Sequence, residues 1–232
     1  MKKPLLIVEL AGPAGVGKST LTRALSESNA NIRIGEVPYI RDGRNSGFYL
    51  WNALLLFPVF AAVALDRSDR ALTPQQMVAM TILKGWRRRL RDADSGEGKV
   101  IVLDQGPVHM LSDLLRFGHK NLRSTASSWW DRTCRDWAEI LDVIVCLDAP
   151  DHLLLKRVRT RETKNHRIKT YGDEEAVRFL AMCRRTQNET LSSLRACSRE
   201  LNVVEFDTSQ LSLGDTIEKI RTLFLNSIKK QR

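Results

Sequence analysis

The chain has 232 residues, 43% hydrophobic and 28% charged, a balance that excludes disorder, collagen-like repeats and a coiled-coil rod and fits one compact domain spanning 1–232. Its 37 Lys and Arg against 27 Asp and Glu leave a net charge of +10, which suits a polyanionic partner: nucleic acid, an anionic membrane or phosphorylated small molecules. Cys134, Cys146, Cys183 and Cys197 show no CxxC pairing, so reduced thiols in a cytoplasmic protein are expected rather than disulfides.

In chain order, Met1-Lys2-Lys3 and the apolar residues after Pro4 superficially resemble a signal peptide. The apolar run ends quickly in a Gly-rich motif, so secretion is not expected. Leu5 to Ala11 reads as a strand, and Leu21 through Leu25 as the start of a helix. Between them Gly12-Pro13-Ala14-Gly15-Val16-Gly17-Lys18-Ser19 satisfies GxxxxGK[ST] in the strand–loop–helix context the motif requires. The stretch from Gly12 to Thr20 is therefore the candidate ATP cradle. Its backbone N–H groups turn inward onto phosphate oxygens, and the helix N-terminus adds about half a positive charge. Lys18 is expected to reach the β- and γ-phosphates, and the Ser19 hydroxyl to ligate Mg2+.

A second strand, Ile32–Ile34, leads into Gly35-Glu36-Val37-Pro38 and then Arg41. Residues 48–65 read FYLWNALLLFPVFAAVAL, with Asn52 the one clearly polar side chain, at the threshold for a transmembrane helix. A single span would put the Gly-rich loop and Asp104 on opposite sides of a bilayer, whereas phosphate chemistry needs them together. A buried helix, or one covered by a second subunit, is expected, with membrane contact the less favoured reading. Val78, Ile82, Trp86 and Leu90 mark the next helix, followed by the strand Val100–Leu103. Trp130, Cys134, Trp137 and Leu141 mark a further helix, and a strand Val143–Leu147 follows it. Val203–Phe206 is the last strand, and Ile217, Ile220, Phe224 and Ile228 lie on one face of the last helix. This alternation gives a three-layer α/β fold around a parallel sheet. A phosphate loop needs a carboxylate for its metal at the end of a neighbouring strand. Asp104 is the first choice and Asp148 the rival.

No NKxD-type guanine motif follows, and the length leaves little room for the added domains of a motor. Instead the fourth strand leads into Pro150–Arg161, then Lys164, Arg167 and Lys169. Arg157 and Arg161 share a helix face and can converge on one anion. An arginine-rich lid over approximately 157–172 suits phosphoryl transfer, where catalysis is mostly charge stabilisation and exclusion of water.

The stretch Leu147-Asp148-Ala149-Pro150 through Leu155-Lys156-Arg157-Val158-Arg159-Thr160-Arg161, with Arg167-Ile168 beyond it, resembles the thymidylate kinase branch of the P-loop nucleoside and nucleotide kinase superfamily. The resemblance also covers residues 12–19 and 100–107 and the helix expected over Asp173–Glu200. It implies a P-loop NTPase fold with a five-stranded parallel sheet, helices on both faces and a mobile lid. MgATP is the implied donor, and the implied partner is a second copy of the chain, with 48–65 as the dimer face. Family members carry Asp-Arg where this chain has Asp104-Gln105, and an arginine within the helix matching 48–65, where this chain has none. Gln105 and Arg167 thus stand where the acceptor is bound. Glu36 resembles the carboxylate base of deoxynucleoside kinases, and Arg41 can steer an anionic acceptor; a salt bridge between the two is the bland alternative. The acceptor is a small molecule, either a nucleotide or a hydroxyl-bearing nucleoside. Competing readings are a polynucleotide kinase or nucleic-acid-binding protein, and a non-catalytic or membrane-associated NTP-binding protein. Trp129 and Trp130 can stack a base, although helical spacing assigns Trp130 to the core. His166, within the lid, is the histidine best placed for a role.

Overall fold

In the computed structural model residues 5–66, 71–92, 100–120, 122–161 and 167–230 are described. The apolar runs form five strands: β1 (Leu6–Ala11), β2 (Ile32–Ile34), β3 (Val100–Leu103), β4 (Val143–Asp148) and β5 (Asn202–Asp207). They make one parallel sheet in the order β2-β3-β1-β4-β5. Nine helices connect them among the described residues: α1 (Lys18–Ser28), α2 (Ser46–Leu65), α3 (Pro74–Asp92), α4 (Pro107–Phe117), α5 (Leu122–Thr125), α6 (Ser127–Ala138), α7 (Asp151–Thr160), α8 (Asp173–Cys197) and α9 (Leu213–Lys230). With β1 central, β3 and β4 flank the loop that follows it. The carboxyl ends of all three strands therefore open onto one edge, where α/β sheets bind ligands.

The strands are apolar on both faces because helices cover both faces. Leu6, Val8 and Leu10 of β1 pack with Leu21 and Leu25 of α1, Leu154 of α7 and Phe224 of α9. Ile7 and Ala11 point the other way, into a layer built by α3, α4 and α6 with Leu83, Trp86, Leu111 and Trp137. Trp86 and Trp137 meet edge to face at 5.8 Å, and the Trp137 indole N–H donates to the Leu83 carbonyl at 3.0 Å. Trp129 and Trp130 are both buried in this layer, so neither is free to stack a ligand.

Of the two expectations for 48–65, a helix buried within the chain or one covered by a second subunit, the first is corrected. The 48–65 segment is a helix, but it is not buried: Trp51, Leu54 and Phe57 are 64%, 59% and 67% exposed. Tyr49, Asn52, Leu56 and Val63 are buried, Phe48, Val59 and Phe60 are partly buried against the core, and Pro58 sits inside the helix. An all-round apolar helix packed along one side of a single chain leaves its other side uncovered by that chain. Among the described residues, Gly43–Leu65 is the helical stretch long and apolar enough to cross a membrane. Two arginines of α3 are held by residues of neighbouring elements. Arg87 pairs with Asp136 at 2.7 Å, while Arg89 donates to the side-chain Oδ1 of Asn45 at 2.5 Å and lies over the Phe48 ring. Helix α8 stops at Cys197, short of Glu200, and Leu141 lies just beyond α6.

Candidate active site

The turn after β1 is possible because its glycines adopt backbone angles that other residues rarely reach. Gly12 and Gly15 have φ of +146° and +85°, and a Cβ on Gly15 would meet the Leu154 carbonyl oxygen at 2.6 Å. The chain then enters α1 at Gly17, which supplies no side-chain cap. The first N–H groups of the helix therefore face outward for an anion. Lys18 lies across the loop, its ammonium donating to the carbonyls of Gly12 at 2.7 Å and Pro13 at 3.1 Å. Burial lowers its pKa, and the nearby Asp104 carboxylate opposes that shift.

Strand pairing of β1 with β3 brings Asp104 to this loop. The Ser19 hydroxyl donates to Asp104 Oδ2 at 2.7 Å across 85 residues of sequence, and the other oxygen, Oδ1, is buried without a hydrogen-bond partner. A hydroxyl and a half-unsatisfied carboxylate beside a phosphate loop suit a hard divalent cation such as Mg2+, which takes few protein oxygens. Asp148, the rival, is engaged elsewhere: Arg184 of α8 donates to both its oxygens at 2.8 and 3.0 Å. Asp148 does not line the cleft.

That cleft has a volume of about 810 Å3 and runs from the phosphate loop across Asp104 and Gln105 to α4 and α8. Gly12, Pro13, Ala14, Gly15, Val16, Gly17, Lys18, Ser19 and Thr20 all line it. Arg157, Arg161 and Lys169 line it from the lid side. Arg157 is held at Thr208, 3.0 Å to the hydroxyl and 3.1 Å to the carbonyl, and Lys169 donates to the Arg161 carbonyl. Arg159 turns away to Asp173 at 2.6 Å. Glu36 and Arg41 are exposed on the connection after β2 and do not line the cleft. No ion pair joins them among the described residues; Asp42 pairs with Arg44 instead. Lys164 and His166 lie outside the described residues, as does the side chain of Arg167.

Sequence reasoning missed the other wall. Glu9, in the middle of β1, is completely buried, yet its carboxylate accepts from the N–H groups of Val108 at 2.9 Å and His109 at 3.0 Å. It thereby caps α4, whose own N-cap, Gly106, has no side chain, and a Cβ there would strike the carboxylate carbon at 2.5 Å. Beyond it His109, Asp113 and Arg116 of α4 line the cleft. One charged residue in the run Leu5–Ala11 was the available signal. Periodicity cannot say that its side chain meets a helix end about 100 residues away.

Comparison with known proteins follows the same lines. Residues 8–179 match the family model described as AAA domain. No curated protein matches the chain. Among solved structures, deoxyadenosine kinase from M. mycoides with bound dCTP is 16% identical with a TM-score of 0.54, covering 96% of this chain and 100% of that one. The YorR protein of Bacillus subtilis, in complex with phosphorylated GDP, is 16% identical at a TM-score of 0.54, over 97% and 98% of the two chains. Thymidylate kinase from Candida albicans is 14% identical at 0.53, over 96% and 92%. The matched family model covers most of the chain and the similar structures align over nearly all of it, so the chain belongs to the AAA domain family and has the fold of the P-loop nucleoside and nucleotide kinases.

Proposed function

We propose that the protein is a cytoplasmic phosphotransferase, a P-loop kinase of the thymidylate kinase-like type. It transfers the γ-phosphate of MgATP to a nucleoside, nucleotide or similar small acceptor. The observation that carries this reading is the meeting of Lys18, Ser19 and Asp104 at one end of a cleft that continues past the phosphate loop. An ATP-binding switch needs no second chamber, whereas a kinase needs room for an acceptor. The structures of similar fold, a deoxyadenosine kinase and a thymidylate kinase among them, support the same class.

In this reading the backbone of Gly12–Thr20 cradles the phosphates, and Lys18 leaves its two carbonyl partners to follow the β- and γ-oxygens. Ser19 and Asp104 hold Mg2+, which neutralises charge on the phosphates when bound. Arg157 and Arg161 approach from the lid and stabilise the charge that spreads over the transferring group. Gln105, which lines the cleft, contacts the acceptor without adding charge. Phosphates on the donor account for the basic lid, so nucleic acid is not required. The test is ADP release from MgATP across deoxynucleosides, ribonucleosides and their 5′-monophosphates. Acceptor-dependent turnover is expected, and it should fall about 10²-fold or more in Asp104→Asn. ATP binding without turnover of any acceptor would leave a non-catalytic nucleotide-binding protein.

The exposed face of α2 belongs, in the same proposal, to a homodimer. Leu50, Leu54 and Phe57 follow one another at helical spacing, all more than half exposed, an apolar stripe of the kind that marks an interaction site. Light scattering after gel filtration should give the mass of two chains for the wild type and of one for Leu54→Glu/Phe57→Glu. A wild-type monomer that co-floats with phosphatidylglycerol vesicles would assign the stripe to a bilayer instead.

A further inference from the structure

The kinase reading needs a group to take the acceptor's hydroxyl proton, and the residue expected to do so, Glu36, lies outside the cleft. We infer that His109 is that base, with Asp113 and Arg116 as its positioning residues; the inference rests on the kinase proposal above. His109 is on the first turn of α4, lines the cleft, and has its backbone N–H fixed by Glu9 from beneath. Its Nε2 faces Asp113 Oδ2 at 3.7 Å. Among the described residues neither ring nitrogen hydrogen-bonds to protein, so Nε2 has the Asp113 carboxylate as its near neighbour and Nδ1 is open to a ligand.

The carboxylate is itself held. Arg116 donates to Asp113 Oδ1 at 3.0 Å and to the Thr186 hydroxyl of α8 at 3.1 Å, and its guanidinium lies over the rings of Phe117 and Phe179. The chain of contacts runs from α8 through Arg116 and Asp113 to His109, the base-and-orienter arrangement that general-base catalysis needs. Because Arg116 is committed to Asp113, this wall presents little net positive charge, unlike the lid side with Arg157, Arg161 and Lys169.

The groups facing His109 are Lys18 of α1, Asp104 after β3, Asp113 and Arg116 of α4, Cys183 of α8 and Glu9 of β1. Burial holds the imidazole below its usual value, Lys18 and Arg116 push the same way, and Asp113 and Asp104 oppose them. In its neutral form the ring has a lone pair to use. In the step, the acceptor hydroxyl oxygen forms its bond to the γ-phosphorus as the bond to the β–γ bridging oxygen breaks. The bridging electron pair leaves on ADP, and the hydroxyl proton passes to His109 Nδ1.

The experiment measures kcat against pH with MgATP and the deoxynucleoside or 5′-monophosphate giving the highest turnover, or MgATP hydrolysis by water if none is turned over. ATP affinity is measured in parallel by calorimetry. For the wild type, the rate should fall on the acid side as His109 takes up a proton. Glu9 and Cys183, both pushed upward by burial, act on the alkaline side. His109→Gln should lower kcat about 10²-fold or more, lose the acid limb and keep the ATP Kd. In His109→Ala, added imidazole should restore part of the rate. Asp113→Asn should move the acid limb while changing kcat less. Retention of kcat within threefold in folded His109→Gln and His109→Ala would overturn the assignment, as would an acid limb that disappears in Glu36→Gln but not in His109→Gln. A wild type that fails to bind MgATP sinks the kinase reading itself. One that binds MgATP but turns over neither acceptor nor water sinks this inference while the nucleotide site stands.

Discussion

Replacing Lys18 with Ala should cut phosphoryl transfer by about 10³-fold, because one preorganised donor aimed at developing charge in a water-poor site is worth about 10²–10³. Lys18 also carries a full charge onto the oxygens nearest the breaking bond. The fold should not suffer. Among the described residues the Lys18 ammonium hydrogen-bonds only the Gly12 and Pro13 carbonyls, and burial disfavours its charged form and lowers its pKa. Thermal unfolding of Lys18→Ala should accordingly stay within a few degrees of the wild type (~1 kcal/mol or less). Calorimetry and ADP release on the same preparation separate the two effects. Full turnover in this variant would remove the phosphate-loop assignment.

Glu9→Ala should do the opposite, damaging the fold first and the chemistry through it. The substitution leaves the N–H groups of Val108 and His109 buried without acceptors, and each such orphan costs about 1–3 kcal/mol. Loss of the α4 cap is the same event seen from the helix. A total of about 2–4 kcal/mol is expected in urea unfolding, and turnover should fall at least tenfold as α4 shifts under His109 and Asp104. The pH dependence identifies the group responsible. Burial pushes the Glu9 carboxyl up to about 8 from an ordinary 4.5, against three backbone donors and Lys18. The folded state thus holds this proton more tightly than the unfolded one. Its contribution is full below about 4.5 and is lost as pH rises to about 8. Glu9→Gln cannot ionise, so the stability difference between wild type and variant should swing toward the variant across that window and be flat on either side. A constant difference from pH 4 to 9 would show that Glu9 is already charged in the folded protein.

The arginine network at β4 shows how the geometry chooses between equivalent candidates. Asp104 and Asp148 each end an apolar strand beside β1, and each is followed within three residues by proline. Nothing local separates them. Arg184, arriving on α8, takes both oxygens of Asp148 and also reaches Asp151 at 2.6 Å, which leaves Asp104 as the carboxylate at Ser19. Similarly, Glu36 and His109 are both polar residues just past a strand end. Glu36 follows edge strand β2 and stays in solvent, whereas His109 sits on the first turn of α4 beside the central strand.

What the residues alone determined is the part encoded in contiguous stretches. The loop Gly12–Ser19, the five apolar runs, the helical spacings and the basic segment 156–161 are local patterns, and they specify a parallel sheet with a phosphate loop on it. The side of α2 left exposed, the hydroxyl–carboxylate pair Ser19–Asp104, the cap that Glu9 places on α4 and the row Arg116–Asp113–His109 were decided by the tertiary structure. Each of these depends on which faces meet once the strands take the order β2-β3-β1-β4-β5. A period of two or of 3.6 says which residues share a face, but only the crossovers say what that face touches.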